Sequence, residues 1–479
     1  MLFQYPPQCS KPFRVSPRAI PASAEELELK PLYYARPEYG HIYACIQSVL
    51  DYNGFAETEE GDFTLYLSSD ITPKVLLDFD PYQRYNHHPG SWQLGRKDNL
   101  WRNISHMKRA FGPEYDFCPA TFLLPEDFPR FQRERDAHPN ALWILKPAAS
   151  SCGRGIRVLS NKSRVKCKPG YLVSHYISNP HLLNGRKYDL RLYVCVPSYD
   201  PLRIYLYKEG LVRFCSEEYT TAKTSVSQRF VHLTNYSVNK QAATYRPNRD
   251  NKAEDSQSHK WPHTAYRRRL VDLGIDPEMV FSRVKDLIVK TIISAEPAIV
   301  NASLQYTRHR GVCFETYGFD VLLDETLRPW LMEVNVSPSL NSGSPLDKRI
   351  KAALIADIYT LIGFVPCDRR ILAQETETQK QNRIFGTGKR SKRPTLQAIA
   401  ECRSLQDLEL DEGEVTMLME VVEEQGRLGD FECLFPCAGT VERYGKFLET
   451  ARVNNHLLWR LLQEPEFLSK YELGPVDRV

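Results

Sequence analysis

The sequence has no closely paired cysteines that could organise a small disulfide-bonded or zinc-binding module. Its twelve cysteines are scattered over 479 residues, without a CxxC pair. The closest two, Cys433 and Cys437, have no His or Cys partner at zinc-finger spacing. This usage favours reduced thiols in a cytosolic protein over disulfides or a zinc site.

The sequence also lacks segments that would direct it to a membrane. The N-terminus has no apolar core of a signal peptide, and the longest apolar run, near 352–365, contains Asp357 and is too short to span a bilayer. The net charge is only +4 at pH 7, which argues against a general nucleic-acid coat. We therefore expect no membrane and no nucleic-acid partner, and any acidic partner must be met by local basic patches.

Three common nucleotide-binding signatures are missing. No GxxxxGK[ST] segment predicts a P-loop, no GxGxxG opens a helix as in a Rossmann fold, and no HRD and DFG set predicts a protein kinase. No convincing Ser-His-Asp or Cys-His set predicts a covalent nucleophile either.

The composition is that of a globular protein, with 42% hydrophobic and 25% charged residues, and the length favours two or three lobes. From Ala141 onward, short alternating segments separated by Gly, Pro or Asp predict β-strands. Residues 270–300 have helical spacing with a break near Gly274 and Pro277, which predicts two helices. After Pro366 a basic stretch follows, and then segments that predict helices, such as 412–425 and 453–463. Interleaved strands and helices predict an α/β or α+β core with an appended tail.

The segment WLMEVNVSPSL, residues 330–340, places polar side chains inside an apolar strand. Side chains two residues apart on a strand share a face, so Glu333 and Asn335 are predicted to lie together, with Leu331 beside them. The preceding strand supplies Asp320. Carboxylate and amide oxygens suit a Mg²⁺ ion that carries nucleotide phosphates. The alternative is structural: Glu333 pairs with a Lys or Arg, and Asp320 caps a turn.

The segment KYDLRLYV predicts a strand with one charged face. Lys187, Asp189 and Arg191 alternate with Leu190 and Leu192. The charged face could line a cleft in which Lys meets phosphate, Asp meets ribose or a cation, and Arg meets a carboxylate. A solvated outer strand is the commoner explanation of the same pattern.

Lys146 precedes a small, flexible loop within WILKPAASSCGRGIRVLS. The loop contains Ser150, Ser151, Gly153 and Gly155. A lysine and a Gly/Ser loop can bind phosphates through a point charge and backbone N–H groups, although an ordinary hairpin turn would explain the glycines as well. Together and in this order, the three segments resemble those of ATP-grasp ligases, in which ATP lies between two lobes and late acidic residues hold Mg²⁺.

Five segments give the chain a more specific resemblance. RKYDLRLYV, GLVRF, HLTNYSVNK, GFDVLLD and WLMEVNVSPSL resemble the tubulin–tyrosine-ligase-like proteins over roughly residues 35–365. The later GDFECLFPC segment is similar to the polyglutamylase members, especially the branch-initiating glutamylases. The resemblance implies an α/β ATP-grasp fold of three lobes with a C-terminal helical tail.

The resemblance and the changes in composition give expected bounds for these parts. They are an irregular lead-in over 1–30, an N-terminal lobe over 31–125, a central lobe over 126–185, a C-terminal lobe over 186–366, and a basic then helical tail over 367–479. Candidate basic surfaces for an acidic partner are Arg267–Arg269 and the cluster Lys389–Arg393. The second is favoured because glutamylases carry a basic microtubule-binding element after the core.

The resemblance also implies roles for individual residues. Catalysis would use Lys146, Arg191 and Glu333. ATP would contact Lys146, Cys152, Gly153, Arg154, Gly155, Ser174, His175, Tyr176, Ile177, Lys187, Tyr188, Asp189, Thr234 and Asn235. Mg²⁺ would be held by Asp320, Glu333 and Asn335. The substrates would contact Cys152, Arg213, Ser237 and Lys260.

Two positions depart from the family pattern. Family members often have Gln where this chain has Ser174, and related glutamylases often have Arg or Gln where it has Cys152. Backbone groups can still bind adenine beside Ser174, so we expect ATP binding to persist. Position 152 touches the acceptor protein in the family, so the acceptor preference does not follow from the resemblance.

The implied reaction is an ATP-dependent ligation. ATP would phosphorylate a γ-carboxylate of an acceptor glutamate, and the α-amine of free glutamate would attack the acylphosphate to form an isopeptide branch. Arg213 would fix the carboxylate of the incoming amino acid. A tubulin glycylase or tyrosine ligase on the same scaffold is one alternative. A catalytically inactive microtubule-binding protein is another, but it predicts loss of the metal and phosphate ligands, which are present.

The expected partners are tubulin or microtubules, through their acidic tails, and free glutamate, with other acidic proteins as further candidates. We expect a monomer in the cytoplasm and cytoskeleton. A cilium, flagellum or basal body is a more specific candidate location.

Overall fold

The computed structural model describes residues 33–37, 42–59, 61, 63–69, 73–150, 153–222, 225–248, 258–364 and 393–471. The predicted lead-in, Cys152 and most of the basic cluster Lys389–Arg393 lie outside these ranges. The described residues form three sheets with helices between and around them.

The first sheet is small and parallel, with strand order β2-β1-β3-β4. Its strand β3 lies within residues 63–67, a segment of alternating hydrophobicity. Its elements are β1 (Tyr33–Ala35), α1 (Ala44–Tyr52), β2 (Ala56–Glu57), β3 (Leu65–Tyr66), a 3₁₀ helix (Pro73–Asp78) and β4 (Arg84–Tyr85).

The second sheet is antiparallel, with order β5-β8-β6-β7. Helix α4 packs against one face around Phe122, Phe131 and Trp143. Helices α2 (Trp92–Gly95) and α3 (Lys97–Phe111) and a 3₁₀ helix (Gly112–Tyr115) precede it, and its elements are β5 (Thr121–Leu124), α4 (Phe128–Ala137), β6 (Trp143–Pro147), β7 (Arg157–Leu159) and β8 (Tyr171–His175).

The third sheet is antiparallel and centres on the long strand β10. On one side β10 pairs with β12 and then β11, and on the other with β14, which pairs with β15. The strands are β9 (Leu182–Leu183), β10 (Arg186–Tyr199), β11 (Leu202–Tyr207), β12 (Leu211–Phe214), β13 (Lys260–Pro262), β14 (Glu315–Leu323), β15 (Pro329–Val336) and β16 (Phe431–Phe435).

Strand alternation gives this sheet a core on each face. Leu190 and Leu192 pack on the side of a long helix, α8, and Tyr193 and Cys195 pack on the side of α9. The helices around the sheet are α5 (Arg229–His232), α6 (Tyr236–Asn239), α7 (His263–Asp272), α8 (Pro277–Tyr306) and α9 (Pro345–Ile362).

Two helices fill the segment that was predicted to be helical with a break. Gly274 has a φ of +74° after α7, and Pro277 begins α8 behind the capping carboxylate of Asp276. By length and composition α8 could cross a membrane, but 67% of its most apolar stretch is buried inside the protein. Within the described residues, α8 is therefore a core helix of the third sheet.

The C-terminal part contains the predicted helices but also contributes a strand to the main sheet. Strand β16 pairs antiparallel with β11, so the tail, expected to be basic and then helical, also contains a strand. Glu424 accepts a hydrogen bond from the Tyr205 hydroxyl at 2.5 Å and forms an ion pair with Arg203 at 2.9 Å, and both contacts tie the tail to this sheet. The helices are α10 (Leu396–Glu401), α11 (Glu412–Gln425), α12 (Thr440–Tyr444) and α13 (Val453–Gln463), with 3₁₀ helices at Leu405–Asp407, Gly445–Phe447 and Pro465–Tyr471.

Candidate functional site

The predicted metal ligands lie on one face of the β14–β15 pair. Asp320 is directly opposite Glu333, and Gly318 is opposite Asn335. The register then shifts so that Val321 faces Leu331, which leaves one extra residue on β15, a β-bulge. Leu331 therefore packs in the core and does not share the face of Glu333, contrary to the prediction from simple alternation.

Asp320 is held by two arginines from neighbouring strands. Its carboxylate receives hydrogen bonds from Arg191 Nε at 2.6 Å and Nη2 at 3.1 Å, and Arg213 Nη2 lies 2.8 Å away. Burial alone raises the pKa of Asp320, but the two guanidinium groups outweigh it and hold the pKa well below its usual range. Asp320 is therefore ionised and fixed in place.

Gly318 makes room for this arrangement. A Cβ atom at this position would lie 2.8 Å from the Pro338 Cβ and 3.4 Å from the Arg191 Cδ. A side chain would therefore collide with Pro338, whereas it would only touch the arginine that reaches towards Asp320.

The charged face of β10 is buried. Lys187, Asp189 and Arg191 are all less than 10% exposed, so the alternative of a solvated outer strand was wrong. Asp189 accepts hydrogen bonds from Arg213 Nε and Nη2 at 2.7 and 2.6 Å and from Thr234 Oγ1 at 2.5 Å. Because Arg213 joins Asp189 to Asp320, two predicted site strands are linked through one side chain.

Glu333 is bound by a lysine that the sequence did not reveal. Lys97, the first residue of α3, lies 2.9 Å from Glu333 and also donates a hydrogen bond to the carbonyl of Ser150 at 3.0 Å. The structural alternative for Glu333, pairing with a lysine, is thus present. The same contacts join the metal-ligand strand to the loop that follows Lys146.

Lys146 is buried near this pair without a direct partner among the described residues. Burial lowers the pKa of Lys146 to about 8, with Glu333 opposing and Lys97 adding to the shift. The lysine is therefore a cation at neutral pH whose charge is only partly compensated.

The glycines of the loop are required by its conformation. Gly153 and Gly155 have φ values of +69° and +72°. A Cβ on Gly153 would lie 3.0 Å from the Asn235 Oδ1, and the Gly153 carbonyl accepts a hydrogen bond from Arg229. The loop is therefore packed against predicted nucleotide contacts on the C-terminal sheet; Arg154 is exposed beside it.

The predicted hinge is only partly open to a ligand. The N–H groups of His175 and Tyr176 donate to the carbonyls of Ala120 and Leu142, so they are not free to bind adenine. The His175 ring packs edge-on against Trp143, and the Ser174 hydroxyl is 2.8 Å from that of Thr121. Ile177, the last residue of the segment, is buried.

Lys187 extends the cationic region towards the hinge. Its Nζ donates a hydrogen bond to the Tyr176 hydroxyl at 2.9 Å, which in turn contacts His232 Nδ1. Burial lowers the pKa of Lys187 to about 8. The adjacent Tyr188 points to the opposite face, where its hydroxyl contacts Tyr266 in the core. Because neighbouring strand residues alternate in direction, its side chain lies on the face opposite to that of Lys187, and its predicted contact with the nucleotide stays a prediction.

The predicted amino-acid contacts lie around a buried aspartate that the sequence analysis missed. Lys260 is 2.7 Å from Asp347 and 4.1 Å from the centre of the Tyr236 ring, next to Ser237. Lys351, one turn along α9, also contacts Asp347 at 3.0 Å. The i, i+4 spacing of Asp347 and Lys351 after the cap Ser344 was the available sequence signal.

No three His, Cys, Asp or Glu side chains converge as a metal site in the part of the chain that the structure describes. The predicted set has only two carboxylates and depends on the amide of Asn335. Its oxygen donors, adjacent across two strands, are nevertheless of the type that Mg²⁺ prefers. The Asn335 Nδ2 donates to the Gly318 carbonyl, which turns its Oδ1 away from that bond.

The charges of the whole region do not balance. Among the described residues, seven cationic and four anionic side chains, each mostly buried, come together from the second and third sheets and from helices α3 and α9. An excess of buried positive charge favours anionic ligands. The cations are Lys97, Lys146, Lys187, Arg191, Arg213, Lys260 and Lys351, and the anions are Asp189, Asp320, Glu333 and Asp347.

Comparisons with known proteins agree with the fold and the predicted family. The sequence profile described as "Tubulin-tyrosine ligase family" matches residues 75–371. "Tubulin polyglutamylase TTLL5" of Homo sapiens is 40% identical over 450 residues, which cover 88% of this chain and 34% of that protein. "Tubulin monoglutamylase TTLL4" of Mus musculus is 40% identical over 399 residues, covering 78% and 33%. "Tubulin polyglutamylase ttll6" of Danio rerio is 33% identical over 413 residues, covering 85% and 51%.

The chain spans about a third of the length of the first two of these relatives. The predicted α/β ATP-grasp class and the predicted family are both confirmed. Since the family profile covers more than half of the sequence, the chain belongs to the tubulin-tyrosine ligase family.

Proposed function

We propose that the protein is an ATP- and Mg²⁺-dependent ligase that adds glutamate, through an isopeptide bond, to γ-carboxylates in the acidic C-terminal tail of tubulin. The names of the relatives, tubulin polyglutamylases and a tubulin monoglutamylase, support this substrate. The observation that carries the proposal is the excess of three positive charges among the buried side chains of the site.

That excess matches the ligands of the proposed reaction. Nucleotide phosphates, free glutamate and an acidic acceptor are all anions, and each would neutralise cations that the protein leaves partly uncompensated. Lys146 and Lys187, whose pKa values burial lowers to about 8, stand nearest to the loop and the hinge where the nucleotide is proposed to bind. A phosphate beside them would raise the pKa of both lysines and further favour their protonated forms.

Each group of residues then has a distinct task. Glu333 and Asn335, with Asp320 beside them, would hold Mg²⁺, which supplies charge neutralisation at the phosphates when it is bound. Gly153 allows the loop to pack closely against Asn235, which is itself a proposed nucleotide contact. Arg191 and Arg213 fix the carboxylates of Asp320 and Asp189, so the anionic groups of the site do not reorganise during the reaction.

The cations on the far side favour glutamate as the incoming amino acid. Arg213 uses Nε and Nη2 within the protein, which leaves Nη1 for a carboxylate. Lys260 is held by Asp347 and could exchange that carboxylate for the one on an acidic amino acid. Glycine and tyrosine have no side-chain carboxylate. A glycylase or a tyrosine ligase would therefore leave one of the two cations, Arg213 or Lys260, without a substrate carboxylate.

The proposed partners are tubulin or microtubules and free glutamate, with other acidic proteins as further acceptors. The proposed location is the cytoplasm and its cytoskeleton, with cilia, flagella or basal bodies as the finer possibility. Two basic clusters were predicted to bind the acidic tails of tubulin. In the first, Arg267–Arg269, Arg267 pairs with Glu278. In the second, Lys389–Arg393, Arg393 lies 3.9 Å from Glu414.

The test is incorporation of labelled amino acids into microtubules. Purified protein is incubated with microtubules, ATP and Mg²⁺, and with glutamate, glycine or tyrosine in separate reactions, and the products are located by mass spectrometry. Glutamate branches in the tubulin tail are expected. Incorporation of glycine alone or tyrosine alone would reject the proposal.

A matched pair of variants ties the result to the site. Glu333→Gln is expected to lose turnover, whereas Glu325→Gln, in the exposed turn between β14 and β15, should retain it. Equal activity of the two variants would remove Glu333 from the mechanism.

A further inference from the structure

The edge strand β7 of the second sheet and the loop that follows it carry basic residues that the site does not use. From residue 137 to residue 188 the sequence contains no Asp or Glu, but it contains nine Lys or Arg. Three of these, Lys146, Arg186 and Lys187, lie in or beside the buried site, and Arg154 lies on the loop. The remaining five, called the basic strip here, are Arg157, Lys162, Arg164, Lys166 and Lys168.

The basic strip is exposed and is not neutralised by the protein. All five side chains are exposed, and none forms an ion pair with a carboxylate that the structure describes. The four acidic residues of the same lobe, between 126 and 136, lie in the turn and helix that follow strand β5. Two of them, Glu134 and Asp136, lie near the end of α4, where Asn161, the residue before Lys162, donates a hydrogen bond to the Arg135 carbonyl at 3.1 Å. These two carboxylates are therefore neighbours of the strip, although they form no ion pair with it among the described residues.

Beyond Arg157 the strip lies in the loop between β7 and β8, which turns at 166–168, where the Lys168 N–H donates to the Lys166 carbonyl. Lys162, Arg164, Lys166 and Lys168 occupy alternate positions, and Val165 between them packs on the core of the lobe. In an extended acidic peptide, every second side chain points to one side, at intervals of roughly 7 Å. A flexible acidic segment could therefore meet several of these cations in succession.

The strip also starts close to the candidate phosphate loop. Arg157 pairs in register with Leu145, the residue before Lys146, and follows Gly155 by two positions. An acidic chain whose acceptor glutamate lies in the cleft could reach the strip with only a few further residues, since an extended chain advances by about 3.3 Å per residue.

We propose that the basic strip binds the acidic polypeptide that flanks the acceptor glutamate, outside the cleft. This inference rests on the proposed glutamate-ligase function and assigns a second contact to the same acceptor. A purely protective role is the simpler explanation, since charged residues on an edge strand prevent pairing with other chains. That role predicts no dependence of acceptor binding on the strip.

The test compares two variants with equal loss of charge. The strip variant combines Lys162→Gln, Arg164→Gln, Lys166→Gln and Lys168→Gln. The control variant replaces four exposed basic residues elsewhere, Lys74, Arg109, Arg308 and Arg403, by Gln. Binding of a fluorescein-labelled peptide of twelve glutamates is measured by anisotropy, together with a twelve-glutamine peptide, a twelve-nucleotide oligouridylate and phosphatidylserine vesicles.

The strip variant is expected to bind the glutamate peptide at least ~10-fold more weakly than wild type, which corresponds to about 1.4 kcal/mol. The control variant should change by less than ~2-fold, because isolated surface charges contribute little. Equal losses in both variants, or glutamate and glutamine peptides that bind equally well to wild type, would overturn the proposal. The proposal would also be overturned if the strip variant lost more affinity for oligouridylate or for the vesicles than for the glutamate peptide.

Measurements of turnover distinguish a failure of this inference from a failure of the proposed function. With a tubulin-tail peptide as acceptor, the strip variant should raise the KM for the peptide and leave kcat unchanged. A lower kcat with unchanged KM would overturn the strip as a docking surface. Failure of wild type to incorporate glutamate would instead defeat the proposed function, and the binding measurement does not depend on turnover.

Discussion

Asp320 and Glu333 face each other across strands β14 and β15, yet the protein holds them in different ways. Asp320 is nearly inaccessible and is fixed by two arginines of the same sheet. The Glu333 side chain is 18% exposed and meets one lysine from helix α3. Asp320 therefore belongs to the rigid frame of the site, and Glu333 is the carboxylate that can exchange its partner for a ligand.

The largest expected effect is on stability, from Asp320→Asn. The change leaves Arg191 and Arg213 buried without their shared carboxylate, so the free energy of unfolding should fall by ~3–5 kcal/mol. Urea unfolding followed by circular dichroism measures this. Asp430→Asn, which removes an exposed partner of Lys208, is the control and should cost less than ~0.5 kcal/mol. Similar losses for the two variants would contradict the frame role of Asp320.

The next effect is on turnover, from Glu333→Gln. Loss of one preorganised charge at the phosphates should lower kcat by ~10²-fold, while the free energy of unfolding changes by less than ~1 kcal/mol. Both are measured on the same preparation. If Glu333→Gln lowered the free energy of unfolding as much as Asp320→Asn, the two carboxylates would not differ in role as described.

A smaller effect is expected from Gly153→Ala in the loop. A left-handed alanine costs roughly 1–2 kcal/mol, and its Cβ would press on Asn235, so the loop should move and the KM for ATP should rise by about 10-fold. Gly112→Ala is the control, because Gly112 has a φ of +59° but open space around it. A KM for ATP that rises equally in both variants would mean that the loop has no special role.

The smallest effect is the pH dependence of nucleotide binding. Burial lowers the pKa values of Lys146 and Lys187 to about 8, and phosphates bind the protonated forms. ATP affinity should therefore be full below pH 7 and fall by roughly fourfold for each lysine between pH 7 and pH 8.5. In Lys146→Arg, which stays charged, the decrease should be smaller. Affinity that is constant or rises over this interval would contradict phosphate contact by these lysines.

The sequence predicted the strands that carry the site because their patterns are local. Alternation in KYDLRLYV and WLMEVNVSPSL was enough to place Lys187, Asp189, Arg191, Glu333 and Asn335 on polar faces. Simple alternation could not predict the bulge that moves Leu331 into the core, because the bulge depends on pairing with β14. The alternation pattern also could not identify the partner of Glu333, because Lys97 lies on a helix more than 200 residues earlier in the sequence.

The tail illustrates the same limit. Helices over 412–425 and 453–463 were predicted from their own periodicity and are present. The strand Phe431–Phe435 was not predicted, because its five residues become a strand through pairing with β11. Pairing between strands that are distant in the sequence produces little recognisable pattern within a five-residue segment.

The most direct test of the account is a calorimetric titration of ATP into wild type and Glu333→Gln, each with and without Mg²⁺. If Glu333 and its neighbours hold a Mg²⁺ ion that carries the nucleotide, Mg²⁺ should strengthen ATP binding to wild type by at least ~10-fold and have little effect on the variant. An equal Mg²⁺ dependence in both proteins would contradict the assignment of this site.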